Sequence, residues 1–186
     1  KILKELNQEY KNIILIKNPY IGPCEAIKEG IANSNAEALI IYPADDYNNG
    51  ILLDQMFQCF LNGYDVVCPS RFIEGGSYQG APLLKRLIVK FVSFTLSKFT
   101  TLPTKDATNG FRLFSKKVVE KFPIESKKGF TFSIELLAKA HRQNFKITEL
   151  PEKWPIRKSG KSKFDYYTIP YYFKWYLYIL ISNFKK

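Results

Sequence analysis

The chain has 186 residues, 46% of them hydrophobic and 24% charged. That composition fits one globular domain with a real core and excludes wholesale disorder. The formal net charge of +11 points to anionic partners: nucleic acid, phosphorylated metabolites or an acidic membrane surface.

Residues 1–10 read as an amphipathic helix with Ile2, Leu3 and Leu6 on one side, opening without an N-cap. Residues 12–17 (Asn-Ile-Ile-Leu-Ile-Lys) read as a short buried strand ended by Asn18-Pro19. Gly22-Pro23 then starts a helix over 23–32, with proline at the first helical position. The run Ala38-Leu39-Ile40-Ile41-Tyr42 reads as a buried strand that ends in Pro43-Ala44-Asp45-Asp46. Two carboxylates beyond a strand end suit a hard divalent cation, and equally the cap of the following helix. A helix over 50–60 and a strand over 65–69 follow, so helices and strands alternate as in a parallel sheet with crossovers.

After Ser70-Arg71-Phe72 a glycine-rich loop, residues 74–80, leads to a long helix over 82–99. Arg86, Lys90, Ser93 and Ser97 share one face of it, and most of its remaining perimeter is Leu, Ile, Val and Phe. Such a helix suits a membrane interface, or a core position with one wet edge. The polar turn 105–110 runs into a strand over 111–114, Ser115 is placed to cap a brief helix to 121, and a helix over 131–142 precedes a strand over 146–150. Five basic residues, Lys153, Arg157, Lys158, Lys161 and Lys163, then precede an aromatic segment, 166–184, that resembles an interfacial stretch rather than a bilayer span. Cys24, Cys59 and Cys68 show no metal-ligand spacing and read as small buried hydrophobes of a reducing cytoplasm; His141 reads as a surface or capping residue. No secretory signal is legible at the start, and no apolar run reaches transmembrane length.

Charged groups recur at expected strand ends: Asp45 and Asp46, then Arg71, then Asp106 and Arg112. Carboxylates for a metal and arginines for phosphate describe an enzyme that handles a diphosphate leaving group.

The order Tyr42-Pro43-Ala44-Asp45-Asp46, Ser70-Arg71-Phe72, Glu74-Gly75-Gly76 and Pro82-Leu83-Leu84-Lys85-Arg86 resembles inverting family 2 glycosyltransferases. The resemblance continues through Asp106-Ala107-Thr108-Asn109-Gly110-Phe111-Arg112, Gly129-Phe130-Thr131-Phe132, Glu135-Leu136-Leu137, and Pro151…Arg157…Gly160-x-Ser162-Lys163. It is nearest to the dolichyl- or polyprenyl-phosphate mannose and glucose synthases. It implies an α/β, GT-A (Rossmann-like), mostly parallel sheet flanked by helices, with C-terminal interfacial helices. The glycosyltransferase domain is expected over 1–165, N-terminally incomplete in that it lacks the family's first strands, and the aromatic membrane-interface segment over 166–186.

By resemblance Asp45 and Asp46 hold Mg2+ or Mn2+. Arg71, Lys85, Arg86, Arg157 and Lys163 bind donor or acceptor phosphates, and Asp106 and Arg112 line the sugar and acceptor site, with Asp45 as the third catalytic residue. The family's usual Asp-x-Asp has its first aspartate where this chain has Pro43. The implied reaction moves a hexose, with inversion, from a GDP-mannose- or UDP-glucose-type donor to a polyprenyl phosphate. It takes place at the cytoplasmic face of a membrane, with the protein peripheral. A saccharide acceptor in cell-surface glycan synthesis and a non-catalytic membrane-associated remnant are the alternatives. The Glu-Asp base and Gln-x-x-Arg-Trp motif of polysaccharide-building relatives are absent, and the basic residues accompany apolar helices rather than a nucleic-acid motif, so nucleic acid is not an expected partner.

Overall fold

Four of the apolar runs find one another in the computed structural model, which describes residues 2–43, 49–79, 82–154 and 166–182. β1 (Ala38–Ile41), β2 (Val66–Ser70), β4 (Arg112–Ser115) and β5 (Ile147–Pro151) form a sheet in the order β1-β4-β2-β5. β4 is antiparallel to β1 and to β2, and β2 is parallel to β5. Three strands therefore run one way and β4 runs against them. The carboxyl ends of β1, β2 and β5 meet the amino end of β4 at one edge of the sheet, with Ile41 opposite Arg112 and Ser70 opposite Pro151. Just beyond that edge β3 (Ser77–Tyr78) and β6 (Lys153–Trp154) form a separate parallel pair.

The helices are α1 (Ile2–Glu9), α2 (Pro23–Ala32), α3 (Gly50–Leu61), α4 (Leu83–Phe99), α5 (Lys116–Lys121), α6 (Thr131–Arg142) and α7 (Ile169–Ser182), the last preceded by a 3-10 turn, Tyr166–Thr168. α3 covers one face of the sheet and α2, α4, α5, α6 and α7 the other, and the period-two alternation of the strands decides which residue meets which helix. Val67, Leu113 and the adjoining Phe111 pack with Leu52 and Met56 of α3. Val66, Cys68 and Phe114 turn to the other face, where they join Leu96 of α4, Phe132, Leu136 and Leu137 of α6, and Trp175 and Ile179 of α7.

The aromatic C-terminal helix is thus partly a core element. The Trp175 indole N–H donates to Ser126 Oγ at 3.1 Å, and the Tyr176 hydroxyl donates to Thr95 Oγ1 at 3.1 Å. Its outer residues Tyr171, Phe173 and Ile181 remain exposed.

Two local expectations fail. Residues 12–17 form no strand, and Ile14 and Leu15 are exposed. An apolar run becomes a strand only where a neighbour takes its backbone groups, and this run has no such neighbour among the described residues. Ser115 does stand at the start of α5, but its hydroxyl donates to Asp65 Oδ1 at 3.1 Å rather than to a helix terminus.

Candidate active site

The site edge is organised by a buried polar floor. β2 pairs with β4 only at Val66 and Val67, so the far end of β2 would be left open on that side. Asn109 fills the gap. Its Nδ2 donates to Pro69 O at 2.9 Å and to Glu152 Oε2 at 2.5 Å, while its Oδ1 accepts from Phe111 N at 3.1 Å. Its carbonyl accepts from Ser133 Oγ of α6 at 2.6 Å. A side-chain amide here continues the ladder that β4 has not yet begun.

The turn before it is fixed as tightly. Glu149 of β5 accepts from Thr104 Oγ1 at 3.2 Å and from Lys105 N at 2.8 Å, and Asp106 N donates to Thr104 Oγ1 at 3.1 Å. Arg112, fully buried, donates from Nη2 to Asp106 O at 2.9 Å and from Nη1 to Ser133 O at 3.0 Å. Arg112 therefore supports the turn from beneath. Two of its guanidinium nitrogens go to carbonyls, its Nε has no hydrogen-bond partner among the described residues, and the side chain is fully buried.

Asp106 and Arg71 come together. Arg71 Nε and Nη2 donate to the two Asp106 carboxylate oxygens at 2.6 and 2.8 Å, and Arg71 N donates to Oδ2 at 3.1 Å. A third side-chain donor contact, from Nη2, reaches Thr108 Oγ1 at 3.5 Å. The guanidinium lies 4.2 Å from the Tyr78 ring centroid, 5.4 Å from that of Trp154 and 5.5 Å from that of Phe72. Burial disfavours its charge, but Asp106 more than offsets this and moves the Arg71 pKa upward.

This box closes because the loop after β2 returns sharply. Gly76 N donates to Ile73 O at 2.9 Å, and a Cβ on Gly76 would stand 2.6 Å from Ser70 O, so only glycine permits the return. Ser77 N then donates to Glu152 O at 2.8 Å, while Glu152 N donates to Ser70 O at 2.9 Å.

Of the residues expected from sequence, Arg71, Asp106 and Arg112 gather at this edge. Lys85 and Arg86 lie half-buried in the first turn of α4. Asp45, Asp46, Arg157 and Lys163 lie outside the described residues. β1 reaches the same edge as Arg71 and Asp106, and Tyr42 just beyond it sets its ring edge-on to Phe111, 5.2 Å between centroids. Asp45 and Asp46, expected from sequence to hold a divalent cation, therefore follow in sequence from a strand that ends at this edge. Among the described residues no three His, Cys, Asp or Glu side chains gather as a metal site.

Sequence reasoning gave no role to Tyr78, Glu149, Glu152 or Trp154. The Asn109-Gly110 pair was legible as a turn and as part of the Asp106–Arg112 stretch of the resemblance, without a role of its own. Cys24 and Cys68 are buried, and burial pushes both thiols up to about 11, which leaves them protonated packing groups.

A sheet in which one antiparallel strand separates two that run the same way, with polar groups at the shared edge, matches known folds. A structure of glucosyl-3-phosphoglycerate synthase from Mycobacterium tuberculosis in complex with UDP aligns with a TM-score of 0.56 and 12% identity, over 90% of this chain and 56% of that one. A second, in complex with Mn2+, UDP and phosphoglyceric acid, aligns with a TM-score of 0.54 and 16% identity, over 78% of this chain and 49% of that one. The fold is that of the GT-A glycosyltransferases. Residues 1–122 match the Glycosyl transferase family 2 profile, and the chain belongs to that family.

Among curated relatives, the Dolichol-phosphate mannosyltransferase of Pyrococcus furiosus is 26% identical over 170 residues, covering 89% of this chain and 47% of that protein. The Polyprenol monophosphomannose synthase of Mycolicibacterium smegmatis is 31% identical over 104 residues, covering 54% and 39%. The chain spans less than half the length of either relative.

Proposed function

We propose that this chain carries the phosphate-handling site of an inverting hexosyltransferase whose acceptor is a polyprenyl phosphate held at an acidic membrane surface. The observation that carries the reading is the outer face of α4. Leu83, Leu84, Leu87, Phe91 and Phe94 are all more than half exposed. At about 100° per residue they fall within one arc of roughly 100°. Arg86 and Lys90 border that arc, and Lys98 lies within it. An apolar arc edged by cations is the pattern of a helix lying in the headgroup region. It starts immediately after the loop that holds Arg71, so a lipid-borne phosphate would arrive beside the site's cations. The exposed Tyr171, Phe173 and Ile181 of α7 extend the apolar surface available to a leaflet.

The two mannosyltransferase relatives support the acceptor class and mannose as the transferred sugar, within the GDP-mannose or UDP-glucose type of donor. A phosphate acceptor is already an anionic nucleophile, so this chain's work is positioning and charge balance rather than proton removal. Arg71 is aimed by Asp106, and Asp106 is fixed by Arg112 and, through its turn, Glu149. Lys85, Arg86, Arg157 and Lys163 are the remaining cations assigned to phosphate. Asp45, with Asp46, would hold Mg2+ or Mn2+, which when bound supplies positive charge to the leaving diphosphate. Neighbouring structures solved with Mn2+ or Mg2+ and UDP support that choice of cofactor.

The test is transfer of labelled hexose from GDP-mannose or UDP-glucose to a short-chain prenyl phosphate in anionic vesicles. Transfer is expected, and Asp45→Ala should lower it by about 100-fold or more, the equivalent of losing several kcal/mol of charge stabilisation. Undiminished transfer by Asp45→Ala, or transfer to soluble saccharides without lipid, would refute the reading.

A further inference from the structure

Tyr78 is more than nine-tenths buried, yet its hydroxyl has no hydrogen-bond partner among the described residues. Its ring is fixed on three sides. Phe72 and Trp154 meet it edge-on at 5.9 and 6.3 Å, and the Arg71 guanidinium lies over it at 4.2 Å. The β3–β6 pairing sets Tyr78 opposite Trp154. Phenylalanine would fill this box equally well, and a buried hydroxyl left unpaired is costly. The oxygen atom therefore calls for a partner that the described residues do not supply.

Arg71 spends Nε and Nη2 on Asp106 and Thr108, and its Nη1 makes no hydrogen bond to a described residue. The phenol also interacts electrostatically with both Arg71 and Asp106, so it lies within the charged pair's field rather than at the rim of the box.

We infer that the Tyr78 hydroxyl is a further substrate-binding group of this site, donating a hydrogen bond to a phosphoryl oxygen lodged beside Arg71 Nη1. Two adjacent donors, one of them cationic, select an oxyanion over a neutral sugar hydroxyl. The aromatic walls exclude water and strengthen both contacts. Burial pushes the phenol above its ordinary pKa, and the Arg71 charge offsets only part of that, so the group stays protonated and a donor at neutral pH. The inference rests on the reading that this site handles phosphate, and it adds a contact that sorts phosphates from neutral ligands.

The experiment is a calorimetric titration of the full chain with inorganic phosphate, for wild type and Tyr78→Phe, beside thermal melts of both without phosphate. The ring packing is kept in the variant. Phosphate affinity is expected to fall about tenfold, the loss of one charge-assisted hydrogen bond, while the ligand-free melting temperature stays level or rises because an unpaired hydroxyl is gone. Equal affinity in the two proteins, or a lower melting temperature with unchanged affinity, would overturn the assignment, as would no phosphate binding by wild type. If phosphate binding depends on Tyr78 but no hexose reaches a prenyl phosphate, the contact stands and the proposed acceptor falls.

Discussion

The floor of the site and the outer face of α4 invert the usual arrangement in opposite senses. The floor buries charge: Arg71, Asp106, Arg112 and Glu152 are all inside. Arg71 and Asp106 hold each other, Arg112 donates to two carbonyls, and Glu152 accepts from the Asn109 amide. The α4 face exposes Leu and Phe side chains, and nothing in the described chain covers them. Internally satisfied polarity is a device for holding geometry. Apolar surface left in the open is a device for meeting something else, because a contiguous patch of this kind is uncommon on a monomer without a binding role.

The sharpest way to break the contrast is Asp106→Ala. It leaves the Arg71 charge buried without its carboxylate, and urea unfolding should register a loss of about 3–5 kcal/mol. A loss under about 1 kcal/mol, the size of an exposed pair, would mean that the floor does not hold the site.

On α4 the expectation reverses. Replacing Leu87 and Phe91 together with glutamine should shift unfolding by no more than about 0.5 kcal/mol. Sedimentation with anionic vesicles should show binding weakened on the order of 30-fold. Large destabilisation with vesicle binding intact would make that face part of the core.

The smallest effect calibrates the other two. Glu125, about half exposed, takes the Lys139 ammonium at 2.8 Å and the Lys174 ammonium at 3.3 Å. The hydrogen bond from Lys139 lowers its pKa from the ordinary glutamate value. A depressed carboxylate pKa stabilises the fold above the unfolded value, and that contribution is lost as pH falls through the folded value. Glu125→Gln should therefore cost about 0.5 kcal/mol or less at neutral pH. The difference from wild type should vanish in acid, measured by denaturation at both pH values.

Local pattern carried the helices. α2 (Pro23–Ala32) and α6 (Thr131–Arg142) fall where the proline start and the apolar periodicity put them. The four sheet strands were also visible as apolar runs. Their order was not, because the insertion of β4 between β1 and β2 depends on pairings between residues tens of positions apart. The same limit governed residues 12–17, where composition favoured a strand and no described neighbour completed one. At the site, Arg71 and Asp106 were legible as residues with chemistry, but sequence could not show that each occupies the other. Arg112 looked like a ligand-facing charge, yet its strand register turns it beneath the turn it follows. Tyr78 and Glu152 carried no periodic or motif signal. Their importance comes only from the parallel contact of β3 with β6 and of β2 with β5.

The side-chain amide of Asn109 has a consequence for how the molecule comes into being. It links Pro69 to Glu152, positions 40 and 43 residues away from it along the chain. Arg71 and Asp106 close a loop of 35. The floor as a whole draws on β2, the residue after β5 and the 104–110 turn, so no two of these segments assemble all of it alone. Contacts between segments this far apart carry a loop-closure cost that local turns and helices do not.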